Sequence, residues 1–437
     1  MKKKLLLVLM VLLATILAAC GGSNEGAGDK EDGEVKIRLL TRMAGTSGQS
    51  KIFQDVIKEF EAKHPDVVVV DESQGDESAF NNILKTDLAS GTLPNIFRVQ
   101  GVANLNEYIE SDLLMDMDPI IKEDPEWGQH FTEGALKYYQ VPGYEGTYGI
   151  PMESGLIGVY YNEKLFKKAG VNEFPETWTE LTDAIKKLNE TDVTPIALGA
   201  KASYMAGHLH NQIFYKWMGT EAAKKLGTRE MKWTDPEVVQ TLKYVDELNK
   251  LGAFGQHAAG ISDDIVLTDF LDGKAAMMIT GPWNINKFIN PEETDYSDSI
   301  KLAKFPYFDE KPEFKNEDMQ ILSPYMVNGK LEGKEKEYTI ELLKMLTSAE
   351  VSKRYAEEAQ FLVPRTDIAI DETKVSKLFL DNIEFGATST GIAVDVFDFD
   401  PLPSMQDRTR NSIVSILLGT TPKEAAKEIQ NEIDKSK

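Results

Sequence analysis

Apolar positions along the chain follow two rhythms. "VKIRLL" (Val35–Leu40) alternates and then turns apolar, which predicts a strand. Ile52, Phe53, Val56, Ile57 and Phe60 then recur at helical spacing, and Pro65 stops that helix. "VVVV" (67–70) is β-branched and uninterrupted, as expected of a buried parallel strand. A helix over 80–88 ends at Gly91, and "NIFRV" (95–99) reads as a third strand. Strand, helix, strand, helix, strand predicts an α/β layer with a parallel sheet. The same order returns with "GVYYN" (Gly158–Asn162), a helix over 178–188 capped by Thr177, a strand at "PIALGA", helices up to Leu251, and a strand at "AAMMITG" (275–281). The last third is mainly helical. It closes with an amphipathic helix, "TPKEAAKEIQNEI", in which Pro422 sits early, where a missing N–H costs little.

The amino end departs from both rhythms. Lys2, Lys3 and Lys4 precede an uncharged apolar run over 5–19, too short for a comfortable membrane span and laid out as an export signal. Cys20, the only cysteine, follows at once. An intrachain disulfide and multi-thiolate zinc sites are therefore excluded. "LAAC" (17–20) resembles the lipobox of bacterial lipoproteins, which implies a diacylglycerol on the Cys20 thiol and cleavage before it; an ordinary cleaved signal and an uncleaved anchor are the alternatives. Residues 20–34 hold no large apolar side chain before the first strand and are expected to be a flexible tether. The remaining length is too great for one simple core and suits two domains.

Lys and Arg number 48 against 71 Asp and Glu, a net charge of −23. No basic stripe is present to neutralise phosphates, which excludes a nucleic-acid partner and broad contact with an anionic membrane. No dinucleotide, phosphate-loop, zinc-protease or nucleophile-elbow motif occurs, so no cofactor, metal or catalytic residue is expected. His208 and His210, two apart, would lie on different faces of a helix. "VDVFDFDP" lacks the glycine and terminal Glu of a calcium loop. With so many acids, spacing alone selects no glycosidase pair.

Four stretches together resemble the extracellular solute-binding proteins of ATP-driven sugar importers, family 1, of the maltose-binding type. They are "LASGTLPNIFRVQG" (88–101), "YGIPMESGLIGVYYNEKLFKKAGV" with "FPETWTEL" (148–181), "FLDGKAAMMITGPWNI" (270–285) and "LLGTTPKEAAKEIQNEID" (417–434). The resemblance implies an α/β, two-lobe periplasmic-binding-protein-like fold of type II. Discontinuous lobes would be joined by a hinge, with the ligand cleft between them. Crossovers are expected near 146–150, 303–311 and 348–354, giving lobe 1 as 35–147 plus 310–350 and lobe 2 as 148–309 plus 351–437. It further implies a monomeric, non-enzymatic receptor that captures a carbohydrate, hands it to membrane permease subunits, and is held to the outer face of the cell membrane through acylated Cys20. A receptor of the same fold for a non-sugar such as a peptide, and a secreted glycosidase, stay open as rivals.

A sugar offers hydroxyls and apolar C–H faces, so its site needs flat aromatics and fixed polar groups. In resembling proteins the aromatic after Gly-Pro stacks on sugar; here that residue is Trp283, with a place in the lobe core as the alternative. Glu153 is the expected hydroxyl acceptor at the lobe crossover, against a hinge ion pair. Arg42, Met43 and Ser47 lie in the loop after the first strand, and Gln100 follows the third. Tyr204 and His208 fall where relatives carry an aromatic platform, with ordinary helix packing as the alternative. Asp395, Phe397 and Arg410 complete the candidates. Trp178 and Trp217 are expected in the core.

Overall fold

The computed structural model describes residues 34–436. The expected signal segment, Cys20 and the tether through residue 33 lie outside the described residues. The strands, in chain order, are β1 (Val35–Leu40), β2 (Val67–Asp71), β3 (Ile96–Phe97), β4 (Ile150–Leu156), β5 (Gly158–Asn162), β6 (Thr194–Ala197), β7 (Ala275–Thr280), β8 (Ile300–Ala303), β9 (Glu317–Val327) and β10 (Gly391–Ala393). Helices of nine residues or more are α1 (Gly48–Lys63), α2 (Glu77–Ser90), α3 (Trp178–Asn189), α4 (Tyr204–Met218), α5 (Pro236–Lys250), α6 (Asp263–Leu271), α7 (Gly333–Leu346), α8 (Ala349–Ala359), α9 (Lys377–Ala387), α10 (Met405–Leu417) and α11 (Pro422–Lys435).

Two sheets organise the chain. The first runs β10-β9-β3-β1-β2, with β4 also paired to β9. β1 is parallel to β2 and β3, whereas β9 is antiparallel to β3 and β4. Its two faces bury separate cores. Leu39 and Ile96 face a core with Phe53, Val56 and Phe60 of α1, while their neighbours Leu40 and Phe97 face one with Phe80, Leu84 and Tyr108. That is the period-two alternation of a pleated strand. The second sheet runs β6-β7-β5-β8 and lies in a third core, with α3 to α6, α10 and α11 around it.

Local signals set the ends of elements. Thr177 and Glu180 close a capping box on α3, and Thr421 and Glu424 close another on α11, where Pro422 stands in the first turn. Gly91 ends α2 at φ +70°, a left-handed geometry that suits glycine. Trp178 is buried, stacked on Phe308 at 4.8 Å; Trp217 packs partly buried against Tyr244 and the same Phe308.

Four expectations need correction. The "VVVV" strand is parallel but not buried: Val67 is inside, whereas 68–70 are half-exposed because β2 is the edge of its sheet. The Val69 N–H donates to Glu61 Oε1 at 2.8 Å, which blunts that edge. The third strand shrinks to Ile96–Phe97, although the Asn95 backbone still bonds Arg38 and Asn328 on either side, and Arg98 beyond it lines the cleft. Residues 351–361, expected with lobe 2, pack in lobe 1: Val351, Tyr355, Ala359 and Phe361 share the core of Phe53 and Val56. β4, also expected with lobe 2, runs along β9 in the first sheet.

A buried charge cluster joins the two sheets. Lys216, near the end of α4, is fully buried and donates to Asp318 Oδ1 at 2.7 Å and to the carbonyls of Lys315 and Glu317 at 2.8 Å each. Asp318 Oδ2 accepts from Lys304 at 2.8 Å and Ser389 at 2.6 Å. Burial pulls the Lys216 ammonium down from its ordinary value, with Asp318 pulling the other way. Removing one partner of such a pair strands the other. Lys216→Met should therefore cost about 3 kcal/mol in a urea unfolding curve. Lys58→Met, which loses only the exposed pair with Asp55, should leave the midpoint in place.

Candidate functional site

β1 and β3 are parallel neighbours, with Leu39 opposite Ile96 and Leu40 opposite Phe97. The residues just beyond them emerge side by side at the carboxyl edge of the sheet, where α/β folds place ligands. Arg42 and Met43 follow β1, and Arg98 and Gln100 follow β3. Facing them from the second lobe are Tyr204 and His208 of α4, Trp283 beyond β7, and Asp395 and Arg410. These groups, with Glu153, Gln49, Glu77, Ile321 and Phe361, line a cavity of about 190 Å³ between the lobes.

The second-lobe wall is aromatic. The rings of Tyr204 and His208 meet edge-on at 5.2 Å, and His208 and Trp283 lie 6.2 Å apart. Trp283 packs against buried residues of both lobes. Its ring folds back over its own chain, and a Cβ on Gly281 would lie 2.0 Å from a ring carbon, so only glycine permits that pose. Gln49 Nε2, from the other lobe, donates to the Trp283 carbonyl at 3.4 Å. The Tyr204 hydroxyl donates to Asp263 at 2.9 Å, which turns the ring's apolar part to the cavity.

The first-lobe wall is polar and incompletely paired. Glu153 is 5% exposed; Oε2 accepts from Ser323 Oγ at 2.9 Å, and Oε1 has no partner among the described residues. Burial pushes this carboxyl up, against the pull of Arg98, Ser323 and Arg42. Arg98 donates twice to Gln100 Oε1, at 3.2 and 2.7 Å, and Gln100 Nε2 reaches the Leu322 carbonyl at 3.5 Å. Gln100 is thus largely engaged in orienting Arg98. Arg42 donates to the Gly75 carbonyl at 2.6 Å.

Arg410 spans the cleft. It lies 3.4 Å from Asp395 in its own lobe and 3.5 Å from Glu77 opposite, with its guanidinium 4.9 Å from the Phe397 ring centroid. Asn211 also donates to Asp395. Beside this group the Tyr138 hydroxyl donates across the lobes to Asp398 at 2.6 Å, and burial and Asp395 push the Asp398 carboxyl up to about 8.

Nine of the eleven ligand-binding candidates from the sequence thus line one cavity. Two do not. Ser47 Oγ caps α1 by accepting the Ser50 N–H, and Phe397 lies under Arg410. His210 points away into the core, its Nε2 2.9 Å from Thr241 Oγ1, so it shares no ligand with His208. No cluster of three potential metal ligands occurs among the described residues. Sequence reasoning missed Gln49, Glu77, Arg98, Ile321 and Phe361. Period two from Gln100 could have found Arg98; Phe361, just past the end of α8, carries no local signal.

A family model described as bacterial extracellular solute-binding protein matches residues 44–353. An uncharacterized ABC transporter extracellular-binding protein of Pyrococcus horikoshii is 25% identical over 293 residues, 64% of this chain and 63% of the relative. A multiple sugar-binding protein of Streptococcus mutans is 25% identical over 291 residues, 64% and 65% respectively. The match therefore spans under two thirds of either relative's length. A solved chitin oligosaccharide binding protein superposes with a TM-score of 0.83 at 24% identity, covering 93% of this chain and 99% of that one; the fold is thus the two-lobe, periplasmic-binding-protein-like α/β fold.

The two buried histidines set a pH dependence. Burial holds His208 down at about 4 and His210 at about 3. Below about pH 6.5 the unfolded imidazoles take up protons that the native ones refuse, so stability falls as pH drops from 6.5 toward 4. The slope should be about 1.4 kcal/mol per pH unit for each histidine. His210→Gln should flatten it by one histidine's share in urea titrations from pH 7 to 4.5.

Proposed function

This chain belongs to the bacterial extracellular solute-binding protein family, and from that premise we propose that it is the carbohydrate receptor of an ABC-type importer. Family membership implies an extracytoplasmic location and a task of binding. One observation carries the sugar reading: an aromatic wall of Tyr204, His208 and Trp283 faces the unpaired Glu153 oxygen and the Arg42 and Arg98 guanidiniums across a cavity between lobes. The rings suit the C–H face of a pyranose, and the carboxyl and guanidinium groups suit its hydroxyls. The multiple sugar-binding relative supports the same class.

Binding works by differential affinity. Each lobe supplies one wall, so a ligand touches both only when the lobes are together, and it draws the hinge toward closure. Cross-lobe contacts complete the closed form: Asn104 donates to Gln406 at 2.6 Å, Tyr138 to Asp398, and Arg410 meets Glu77. A permease then reads the closed surface. The lobes are 35–147 with 328–361, and 157–316 with the remainder of the carboxyl-terminal part. The strands β4 and β9 pass between them. The chain works as a monomer, tied to the outer face of the membrane by acylated Cys20, with 20–34 as its tether. It performs no reaction.

A ligand that binds only the native state at 100 times its Kd adds about 2.7 kcal/mol. A thermal-shift panel of mono- and oligosaccharides should therefore contain members that raise the melting temperature, recovered chemically unchanged, and Trp283→Ala should weaken them by about 10- to 100-fold. A panel in which peptides raise it and no saccharide does would sink the sugar reading. Cys20→Ser should move the protein from the membrane fraction to the soluble one; continued membrane association would remove the lipid anchor.

A further inference from the structure

Eight arginines are present in the sequence. Arg38, Arg229, Arg354, Arg365, Arg408 and Arg410 each lie within 4.0 Å of at least one carboxylate. Arg42 and Arg98 lie within that distance of none among the described residues, and both line the interlobe cavity. Carboxylates are not scarce, with 71 Asp and Glu against 48 Lys and Arg. The Arg98 guanidinium is half-buried on the cavity wall, and its hydrogen bonds go to a neutral amide oxygen, which supplies no counter-charge. Arg42 bonds only a backbone carbonyl. A partly buried charge without its counter-ion carries part of that desolvation cost, and a ligand that brings the opposite charge and closes off the water offsets it.

We propose that Arg42 and Arg98 form a subsite for an anionic group, and that the saccharide is acidic, an oligosaccharide carrying a uronate carboxylate. This rests on the receptor reading above and narrows it. The guanidinium fork matches a planar carboxylate with two parallel hydrogen bonds. Nη1 of Arg98 makes no hydrogen bond among the described residues and is free to take part. Glu153 and Glu77 both act on Arg98 through their fields, yet neither reaches ion-pair distance. Burial also favours the neutral form of the Glu153 carboxyl, which leaves less negative charge in the cavity. The third cavity arginine, Arg410, is already engaged by Asp395 and Glu77. Of the three, Arg410 is thus balanced by carboxylates, whereas Arg42 and Arg98 are not, and the aromatic wall lines the same cavity. A uronate presents the matching pair of features: an apolar ring face and a carboxylate fixed to that ring.

Isothermal titration of the full chain against di- and trisaccharide uronates and their methyl esters tests this. The ester keeps the ring and its hydroxyls, adds one methyl group and removes the charge. At least one uronate should bind about 100-fold more tightly than its ester, and Arg98→Gln or Arg42→Gln should shrink that ratio to below about 10-fold. Without ligand, Arg98→Gln should melt no lower than the parent, because it relieves an unpaired charge; a large drop would show a structural arginine and overturn the proposal. Neutral saccharides or esters binding as tightly as every uronate would overturn it while leaving the sugar receptor in place. If no saccharide of either kind binds, both readings fall. Arg42→Gln, on a half-exposed loop, reads the same ratio at a second position.

Discussion

The ion pair between Lys216 and Asp318 holds the binding cavity together although neither residue touches it. α4 carries Tyr204 and His208 at its amino end and Lys216 near its carboxyl end. β9 carries Asp318 at its start and, a few residues on, Ile321 on the cavity wall and Ser323, the donor that fixes Glu153. Joining Lys216 to Asp318 therefore anchors the start of β9, a strand that connects the lobes, to the helix of the aromatic wall, about 12 Å of helix from His208. Its charge could be replaced by packing in principle, but two backbone carbonyls, Lys304 and Ser389 also converge on the pair. The cluster prescribes one geometry where a greasy contact would tolerate several.

Buried polar atoms without a partner occur in the cores, as at His210 Nδ1 and Gln212 Oε1, and three more belong to residues that line the cavity. Glu153 Oε1, His208 Nδ1 and Arg410 Nε are buried without partners. Each such group costs about 1–3 kcal/mol, which a solute with its own donors and acceptors can return. Function is thereby written as local dissatisfaction on a scaffold stable enough to carry it. The Trp283 ring makes the same compromise more cheaply, since it is only half-covered.

Legibility in the sequence followed the range of the forces involved. Caps, the left-handed turn at Gly91 and the alternation of β1 depend on a few neighbours, and residue type alone announced them. That β2 is an edge, and that α8 returns to the first lobe, depend on what is absent or distant, so "VVVV" and the stretch after 350 were misread. Within the cavity, Trp283 was legible because Gly281 and Pro282 mark a strand end with room for a ring. Ser47 was misleading because a hydroxyl ahead of an apolar helix serves equally as a cap. Gln49 and Phe361 acquire their positions only when the lobes meet, which no local pattern encodes.

The folded-back ring of Trp283 has an optical consequence. Of five tryptophans, Trp127, Trp178 and Trp233 are buried at 7% exposure or less, Trp217 is wedged among Tyr244 and Phe308, and Trp283 is the one on the cavity wall. A solute that displaces water from that ring alters one indole and leaves the other four in unchanged surroundings. The intrinsic emission of the molecule is therefore a built-in gauge of occupancy, legible without any label.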